Sequence, residues 1–171
     1  MNIYIRKFQK DDIPFKVKWI NDEKNNRYLH YDLPLREDKT LEWFRTLQFR
    51  PDRVDYTIIC DGDPVGIIGL INIDKKKLEA EYYICVGEEK FKGRGIAKKS
   101  TEILFKIASK DFGLKKNLYT EIENISAQKT FEKIGFRKEK LLRNHIFYRG
   151  KYIDRYLYIL DLEKYLLSVG V

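Results

Sequence analysis

A pair of glycines between a strand pattern and a helix pattern constrains this chain more than any other feature. The run from Lys92 to Ala97, Lys-Gly-Arg-Gly-Ile-Ala, follows a β-rich stretch over residues 82–86 and precedes a helical pattern that begins near Ala97. Two glycines in three residues let the backbone approach a ligand closely, and the following helix directs free N–H groups and the positive end of its dipole into the loop. The sequence therefore predicts a phosphate site at this loop.

The length and composition indicate one domain that spans residues 1–171. With 171 residues, of which 43% are hydrophobic, the chain is long enough for one core and short for two. No apolar run reaches the roughly 18 residues of a membrane helix, and the first residues lack the layout of a signal peptide. We therefore expect a cytoplasmic protein that does not bind a membrane.

The charge balance favours a solvated surface over a nucleic-acid footprint. The net charge is +8, but the 34 Lys and Arg residues are interleaved with 26 Asp and Glu residues. We therefore expect no nucleic-acid partner.

The two cysteines are predicted to be inert. Cys60 and Cys85 each lie in an apolar, β-branched run, where a free cysteine usually behaves as a small buried hydrophobe. Neither a disulfide nor a metal site is expected.

Hydrophobic periodicity alternates between strands and helices along the chain. A strand and a short helix open it, and Asp38 or Thr40 can cap a second helix. An antiparallel meander of three strands follows, then the glycine loop and a crossover helix to about Phe112. A strand near 118–122, a helix that ends at Gly135 and a long aromatic hairpin complete the pattern.

Two local motifs in this order resemble the GCN5-related N-acetyltransferase (GNAT) family over nearly the whole chain. The pyrophosphate signature of that family is matched by Lys92, Gly95 and Ala97, and its later signature, which begins with Asn and ends in Gly-Phe, is matched by residues 124–136. Residues 150–154 are similar to the branch that contains ribosomal-protein alanine acetyltransferases and amino-sugar acetyltransferases. The resemblance implies an α/β (α+β) fold with a mixed, mostly antiparallel sheet of about seven strands and helices on both faces.

The resemblance also implies acetyl-CoA as cofactor and direct acetyl transfer to a primary amine. The pyrophosphate is expected on the loop amides, and the pantetheine arm is expected to pair with the backbone of the preceding strand. The residues that the resemblance implies for the cofactor are Ile84, Cys85, Val86, Lys92, Gly93, Arg94, Gly95, Ile96, Ala97, Asn124, Phe131 and Lys133.

Two side chains are predicted to take part in proton transfer. Glu81, on the strand that leads into the cofactor site, is the first choice for the base, although a structural pairing with a surface lysine is an equal alternative. Many family members have a tyrosine at the position of Phe131 to protonate the departing thiolate, and phenylalanine has no proton to give. Tyr83, Tyr119 or water could serve instead, or the thiolate could leave unprotonated, and the sequence does not choose. A nucleophilic Cys85 is disfavoured because no histidine is near it in sequence.

The acceptor is predicted to bind between the segment over 27–36 and the last hairpin, which wall the amine site in this family. Tyr28, His30 and Tyr31 are the candidate substrate residues, and Arg27 and Arg36 make the lining richer in cations than in acids. This favours a neutral or anionic small-molecule amine, with an amino-sugar nucleotide as the leading interpretation. Acetylation of a protein N-terminus and a non-catalytic CoA-binding module are the alternatives, and a monomer or homodimer is expected.

Overall fold

A seven-stranded sheet forms the centre of the protein. The computed structural model describes residues 1–29, 31–115, 117–122 and 125–170, and of 117–122, 125 and 126 only the backbone. Within these residues the strand order across the sheet is β1-β2-β3-β4-β5-β7-β6. The strands are β1 (Ile3–Lys7), β2 (Val54–Cys60), β3 (Asp63–Asp74), β4 (Glu79–Val86), β5 (Asn117–Ile122), β6 (Arg137–Tyr148) and β7 (Lys151–Asp161).

Helices cover both faces of this sheet. The helices are α1 (Ile13–Asn21), α2 (Glu23–Asn26), α3 (Glu37–Thr46), α4 (Ile96–Lys110), α5 (Ile125–Ile134) and α6 (Leu162–Ser168), with short 3-10 turns at Lys10–Asp12, Leu47–Phe49 and Glu89–Phe91. Side chains alternate across β4, so Tyr82 joins the core under α4 while Tyr83 faces the cluster formed with α1 and α3. The predicted fold class, a mixed and mostly antiparallel sheet with helices on both faces, is confirmed.

The sheet parts between β4 and β5. These two strands run parallel and pair at Ala80 with Leu118 and at Glu81 with Tyr119. Strand β4 continues to Val86, and within the described residues no further pairing with β5 follows. The last five residues of β4 therefore keep one backbone edge available for a ligand, because only the other edge is bonded to β3.

Helix α3 begins earlier than its predicted caps. Arg36 occupies the N-cap position, and Asp38 and Thr40 lie inside the helix. The buried Thr40 hydroxyl donates a hydrogen bond to the Arg36 carbonyl at 2.8 Å. The prediction of a cap at either residue was wrong, because both hydroxyl and carboxyl side chains also occur in the first turn of a helix.

No helix in the described part of the chain is long and apolar enough to cross a bilayer.

Candidate active site

The glycine loop ends in a helix N-terminus that is open to a ligand. Gly93 and Gly95 have φ angles of +71° and +79°, and Gly95 is the N-cap of α4. A Cβ atom at either position would meet no described atom within 4 Å. The glycines are therefore required by their left-handed backbone, and the space beside them is unobstructed.

The chemistry of this loop fits a bound pyrophosphate. The first turn of α4 has no acidic residue, and Lys98 and Lys99 are exposed there. The first N–H groups of a helix have no partner inside the helix, so they are donors for an anion. Cations at this end oppose the helix dipole unless an anion is bound.

Lys92 and Arg94 have different surroundings in the loop. The Lys92 amine donates hydrogen bonds to the Asn25 side chain at 2.8 Å and to Glu89 at 2.9 Å. The Asn25 amide in turn donates to the Gly87 carbonyl at 2.9 Å, so the loop is tied to α2. The Arg94 guanidinium lies 5.6 Å from the Phe91 ring centroid. Lys92 thus fixes the loop, whereas Arg94 rests on an aromatic surface.

Strands β3 and β4 approach each other closely, and this contact fixes the position of β4. Ile84, Cys85 and Val86 pair with β3 on one edge, and a Cβ atom at Gly66 would lie 2.3 Å from the Cys85 carbonyl oxygen. Only glycine fits there. The opposite edge of these three residues presents N–H and C=O groups beside the start of α4.

A cavity of about 770 Å³ lies against β4 on the face covered by α1 and α3. Its volume is within the range of small-molecule sites. Its lining consists of Lys16, Ile20, Leu29, Tyr31, Asp32, Pro34, Leu35, Arg36, Lys39, Thr40, Trp43, Arg53, Ile67, Ile71, Tyr83, Ile84 and Cys85. The Tyr148 hydroxyl donates to the Tyr31 carbonyl at 2.6 Å, so the last hairpin meets the segment that walls this cavity.

Charged groups are concentrated at the inner end of the cavity. Lys16 is 6% exposed, and its amine lies 3.5 Å from the centroid of the Trp43 ring. The Arg53 guanidinium lies 5.3 Å from the same centroid and donates two hydrogen bonds to Asp55, at 2.7 and 2.8 Å. The Tyr83 hydroxyl also donates to Asp55. The Asp55 carboxylate therefore accepts three hydrogen bonds, two from Arg53 and one from Tyr83.

Burial shifts the ionisation of several groups in this cavity. Desolvation lowers the pKa of Lys16 to about 8 and raises the pKa of the Cys85 thiol to about 11. Desolvation, together with the neighbouring Asp55, raises the pKa of Tyr83 well above its ordinary value. Cys85 therefore stays a thiol at neutral pH, which agrees with its predicted inertness as a nucleophile, although its side chain lines the cavity as well as packing on the core.

The predicted substrate and catalytic residues divide between the cavity and its surroundings. Tyr31 and Tyr83 line the cavity, whereas Tyr28 is 41% exposed and lies outside the lining. Glu81 is half-buried, also outside the lining, and accepts a hydrogen bond from the Asn72 amide at 2.9 Å. His30 lies outside the described residues.

The later motif contributes mainly to the core. Phe131 is buried and packs edge to face on Tyr82, with ring centroids 5.5 Å apart. Lys133 is exposed on α5. Asn124 lies outside the described residues.

Sequence reasoning missed the inner charged cluster. Lys16 shares the spacing of Ile13 and Ile20 on the buried side of α1, and a lysine on an apolar helical stripe was the available signal. Arg53 and Asp55 stand two residues apart at the start of β2, in a pattern that many exposed strands also show. The described residues contain no cluster suited to a metal ion.

These features together indicate a protein that binds a phosphorylated ligand at the glycine loop, beside a cavity of small-molecule size. A family model of the acetyltransferase (GNAT) domain matches residues 2–137. The chain belongs to this family. The predicted family, the enzyme class of acetyl-CoA-dependent N-acyltransferase and the cofactor acetyl-CoA are confirmed.

Curated relatives support the same assignment. The chain is 28% identical over 173 residues to the SPbeta prophage-derived uncharacterised N-acetyltransferase YokL of Bacillus subtilis, covering 99% of this chain and 95% of the relative. It is also 28% identical over 98 residues to spermidine N(1)-acetyltransferase of Escherichia coli, covering 57% of this chain and 52% of the relative.

Solved structures share the fold. Spermidine N-acetyltransferase from Vibrio cholerae, in complex with CoA and spermine, superposes with a TM-score of 0.85 at 21% identity, over 96% of this chain and 98% of the other. A chimera of the Vibrio cholerae enzyme SpeG with hSSAT superposes with a TM-score of 0.86 at 20% identity, over 97% and 99%.

Proposed function

We propose that the protein transfers the acetyl group of acetyl-CoA to the primary amine of a small molecule bound in the cavity beside β4. The observation that carries this proposal is the position of the cavity. Ile84 and Cys85 border it, and the same residues present the unpaired strand edge that adjoins the glycine loop. Donor and acceptor sites therefore meet at one strand, which brings amine and thioester together.

The chain's own groups suit the seating of the coenzyme. The backbone amides from Gly93 to Ala97 would hold the pyrophosphate, and Ile84 to Val86 would pair with the pantetheine arm. Acetyl-CoA supplies the activated thioester. A backbone N–H near Val86 would donate to the carbonyl oxygen of that thioester as negative charge develops on it.

Glu81 is the proposed base for the acceptor amine. It shares one face of β4 with Tyr83 and Cys85, the two side chains that border the cavity, at the alternate spacing of about 7 Å along a strand. At that distance the carboxylate would take the ammonium proton through a water molecule. Its hydrogen bond from Asn72 fixes the orientation of the carboxylate.

Tyr83 is the other proposed catalytic residue. Its raised pKa keeps the phenol protonated at neutral pH, and its hydroxyl donates to Asp55, so it would return a proton to the CoA thiolate only after it leaves that hydrogen bond. No such hydroxyl exists at Phe131, whose ring is buried against Tyr82.

The cavity volume favours a small acceptor over a protein N-terminus. About 770 Å³ accommodates a molecule of drug-like size, and the contact between Tyr148 and Tyr31 brings the last hairpin to the wall of the cavity. The amino-sugar nucleotide predicted from the sequence is one molecule of this class.

Release of free thiol from acetyl-CoA tests the proposal directly. A panel of amino sugars, amino acids, spermidine and short peptides would be compared at fixed enzyme concentration. Turnover on a small amine with at least tenfold higher kcat/KM than on any peptide is expected. Higher kcat/KM on peptide N-termini, or coenzyme binding without turnover on any amine, would overturn it.

The proposed assembly is a monomer or a homodimer in the cytoplasm. A solved structure of the spermidine N-acetyltransferase from Vibrio cholerae is described as dodecameric. Light scattering of the purified protein distinguishes a monomer or dimer from a dodecamer, since a twelve-subunit particle has six times the mass of a dimer.

A further inference from the structure

Among the described residues, two cations and one carboxylate lie at the inner end of the cavity. Lys16 and Arg53 are cationic at neutral pH, and Asp55 is the carboxylate beside them. Arg53 forms a bidentate ion pair with that carboxylate, and the side chains of Arg53 and Asp55 are 18% and 3% exposed. Within the described residues Lys16 makes no hydrogen bond and no ion pair, although it is 6% exposed. A buried ammonium normally has such a partner.

The aromatic rings of Trp43, Phe8 and Tyr31, which surround the Lys16 amine, do not replace that partner. The Trp43 face attracts a cation, but it offers no lone pair to the three N–H groups of the ammonium. Lys16 lines the cavity, so a ligand in the cavity can reach the group. A ligand with a negative charge would both accept the hydrogen bonds and balance the local charge.

We propose that the acetyl acceptor carries an anionic group, a phosphate or a carboxylate, that binds to Lys16 beside Arg53. This inference rests on the proposed function and names the substrate class of the same site. It separates the acceptor from spermidine, the substrate in the names of several relatives, which carries only positive charge.

The other charged residues of the lining do not determine the sign of charge at the inner end. Asp32, Arg36 and Lys39 are all exposed, and Arg36 and Lys39 form ion pairs with Asp38 and Glu42. The buried Lys16 therefore decides the preference, because a polycation bound beside it would meet a like charge in a desolvated site.

The ionisation of Lys16 reports anion binding without any turnover. NMR of 15N-labelled lysine amines would follow Lys16, assigned by comparison with Lys16→Arg, during titrations with inorganic phosphate, sodium acetate and sodium chloride. Phosphate or acetate is expected to raise the pKa of Lys16 by at least half a unit at millimolar concentration, and chloride is not. Whichever of phosphate and acetate raises the pKa of Lys16 more identifies the anionic group as a phosphate or a carboxylate. An unchanged pKa with both would overturn the inference.

A second experiment compares kcat/KM for acceptors that differ mainly in an anionic group. Glucosamine 6-phosphate would be compared with glucosamine, and β-alanine with β-alaninamide, each against spermidine. At least one amine with an anionic group is expected to have a kcat/KM ten- to a hundredfold above its match without that group. Lys16→Met should remove that preference mainly through KM, Lys16→Arg should retain part of it, and Lys18→Met, on the exposed side of α1, should leave it unchanged.

The outcomes separate this inference from the proposed function. Efficient turnover of spermidine, glucosamine or β-alaninamide, with no higher kcat/KM for the amines that carry an anionic group, would confirm acetylation of small amines. It would overturn the inference of an anionic acceptor. A shift in the pKa of Lys16 with phosphate or acetate, but no turnover on any amine, would support the anion site and overturn the proposed function.

Discussion

The Lys16 ammonium lies 3.5 Å from the centroid of the Trp43 ring, where α1 faces α3 across the acceptor cavity. The contact holds a buried cation at the inner end of the cavity, where it donates no hydrogen bond to any described residue. Such an arrangement costs folding energy, because a charge leaves water without gaining a hydrogen bond. A cost of this kind is retained at binding sites, where a ligand supplies the missing partner.

Replacement of Lys16 should stabilise the free protein. Lys16→Met removes the buried charge and keeps the apolar stem, so the free energy of unfolding should rise by about 2 kcal/mol at pH 7. The lowered pKa means that the folded state loses its proton near pH 8 and the unfolded state near 10.5. The free energy of unfolding of the wild-type protein therefore rises across that interval. Its difference from that of Lys16→Met should disappear by about pH 10.5. Urea unfolding at pH 7, 9 and 10.5 measures this.

The surface variant Lys106→Met is the control for that experiment, since Lys106 is exposed on α4. It should change the free energy of unfolding by less than about 0.5 kcal/mol at every pH. A Lys16→Met protein that is less stable than wild type at pH 7 would contradict the burial of an uncompensated charge.

The efficiency of the enzyme should pass through a maximum as pH rises. The acceptor amine must lose a proton, which gives a rising limb, and free Lys16 loses its charge near pH 8, which gives a falling limb for an anionic acceptor. Four described groups that face Lys16 do not titrate between pH 7 and 9, because burial or ion pairing raises the pKa of each. They are Arg53, Tyr31, Tyr83 and Cys85. Asp55 also faces Lys16, and it accepts hydrogen bonds from Arg53 and Tyr83. In Lys16→Arg the fall in kcat/KM above pH 8 should disappear.

The two arginine–aspartate pairs near β2 should differ sharply in their contribution to stability. Asp55→Asn leaves the Arg53 guanidinium without its buried counter-ion and weakens the Tyr83 hydrogen bond, which should cost about 3 kcal/mol. Asp52→Asn breaks the same kind of bidentate pair with Arg50 on the surface, and the unfolding midpoint should barely move. Chemical denaturation of both variants gives the comparison, and equal losses would show that burial of the Asp55 pair has no effect.

The sequence predicted the elements that depend on local patterns. The seven strands and the start of α4 within one residue of Ala97 follow from periodicity and from glycine, which act over a few residues. The inner cluster could not be predicted in this way. The burial of Lys16 depends on Trp43, which is 27 positions away, and a lysine on a short helix is usually solvated. The same limit applies to Phe131, since whether it faces the coenzyme or the core is decided by the packing of Tyr82.

Coenzyme binding should depend on the position of Gly95 at the α4 N-terminus, and not only on the presence of a glycine with a positive φ angle. Gly95→Leu places a side chain in the open space at the α4 N-terminus, and CoA affinity by calorimetry should fall at least a hundredfold. Gly113 has a φ of +64° and equally open surroundings at the other end of the helix. Gly113→Leu should therefore carry a similar backbone strain and leave CoA affinity within twofold. Equal loss of affinity in both variants would remove the loop from the binding site.

Glu79 and Glu81 provide a matched test of the proposed base, because they share one face of β4 two residues apart. Glu81→Gln keeps the hydrogen-bonding shape but cannot accept a proton, so kcat should fall about a hundredfold with little change in KM for acetyl-CoA. Glu79→Gln should keep kcat within threefold, since Glu79 lies farther from the part of β4 that borders the cavity. The residual rate of Glu81→Gln should increase with pH across the range in which the free acceptor amine loses its proton. If both variants keep wild-type kcat and the same pH profile, solvent water removes the proton and Glu81 is not the base.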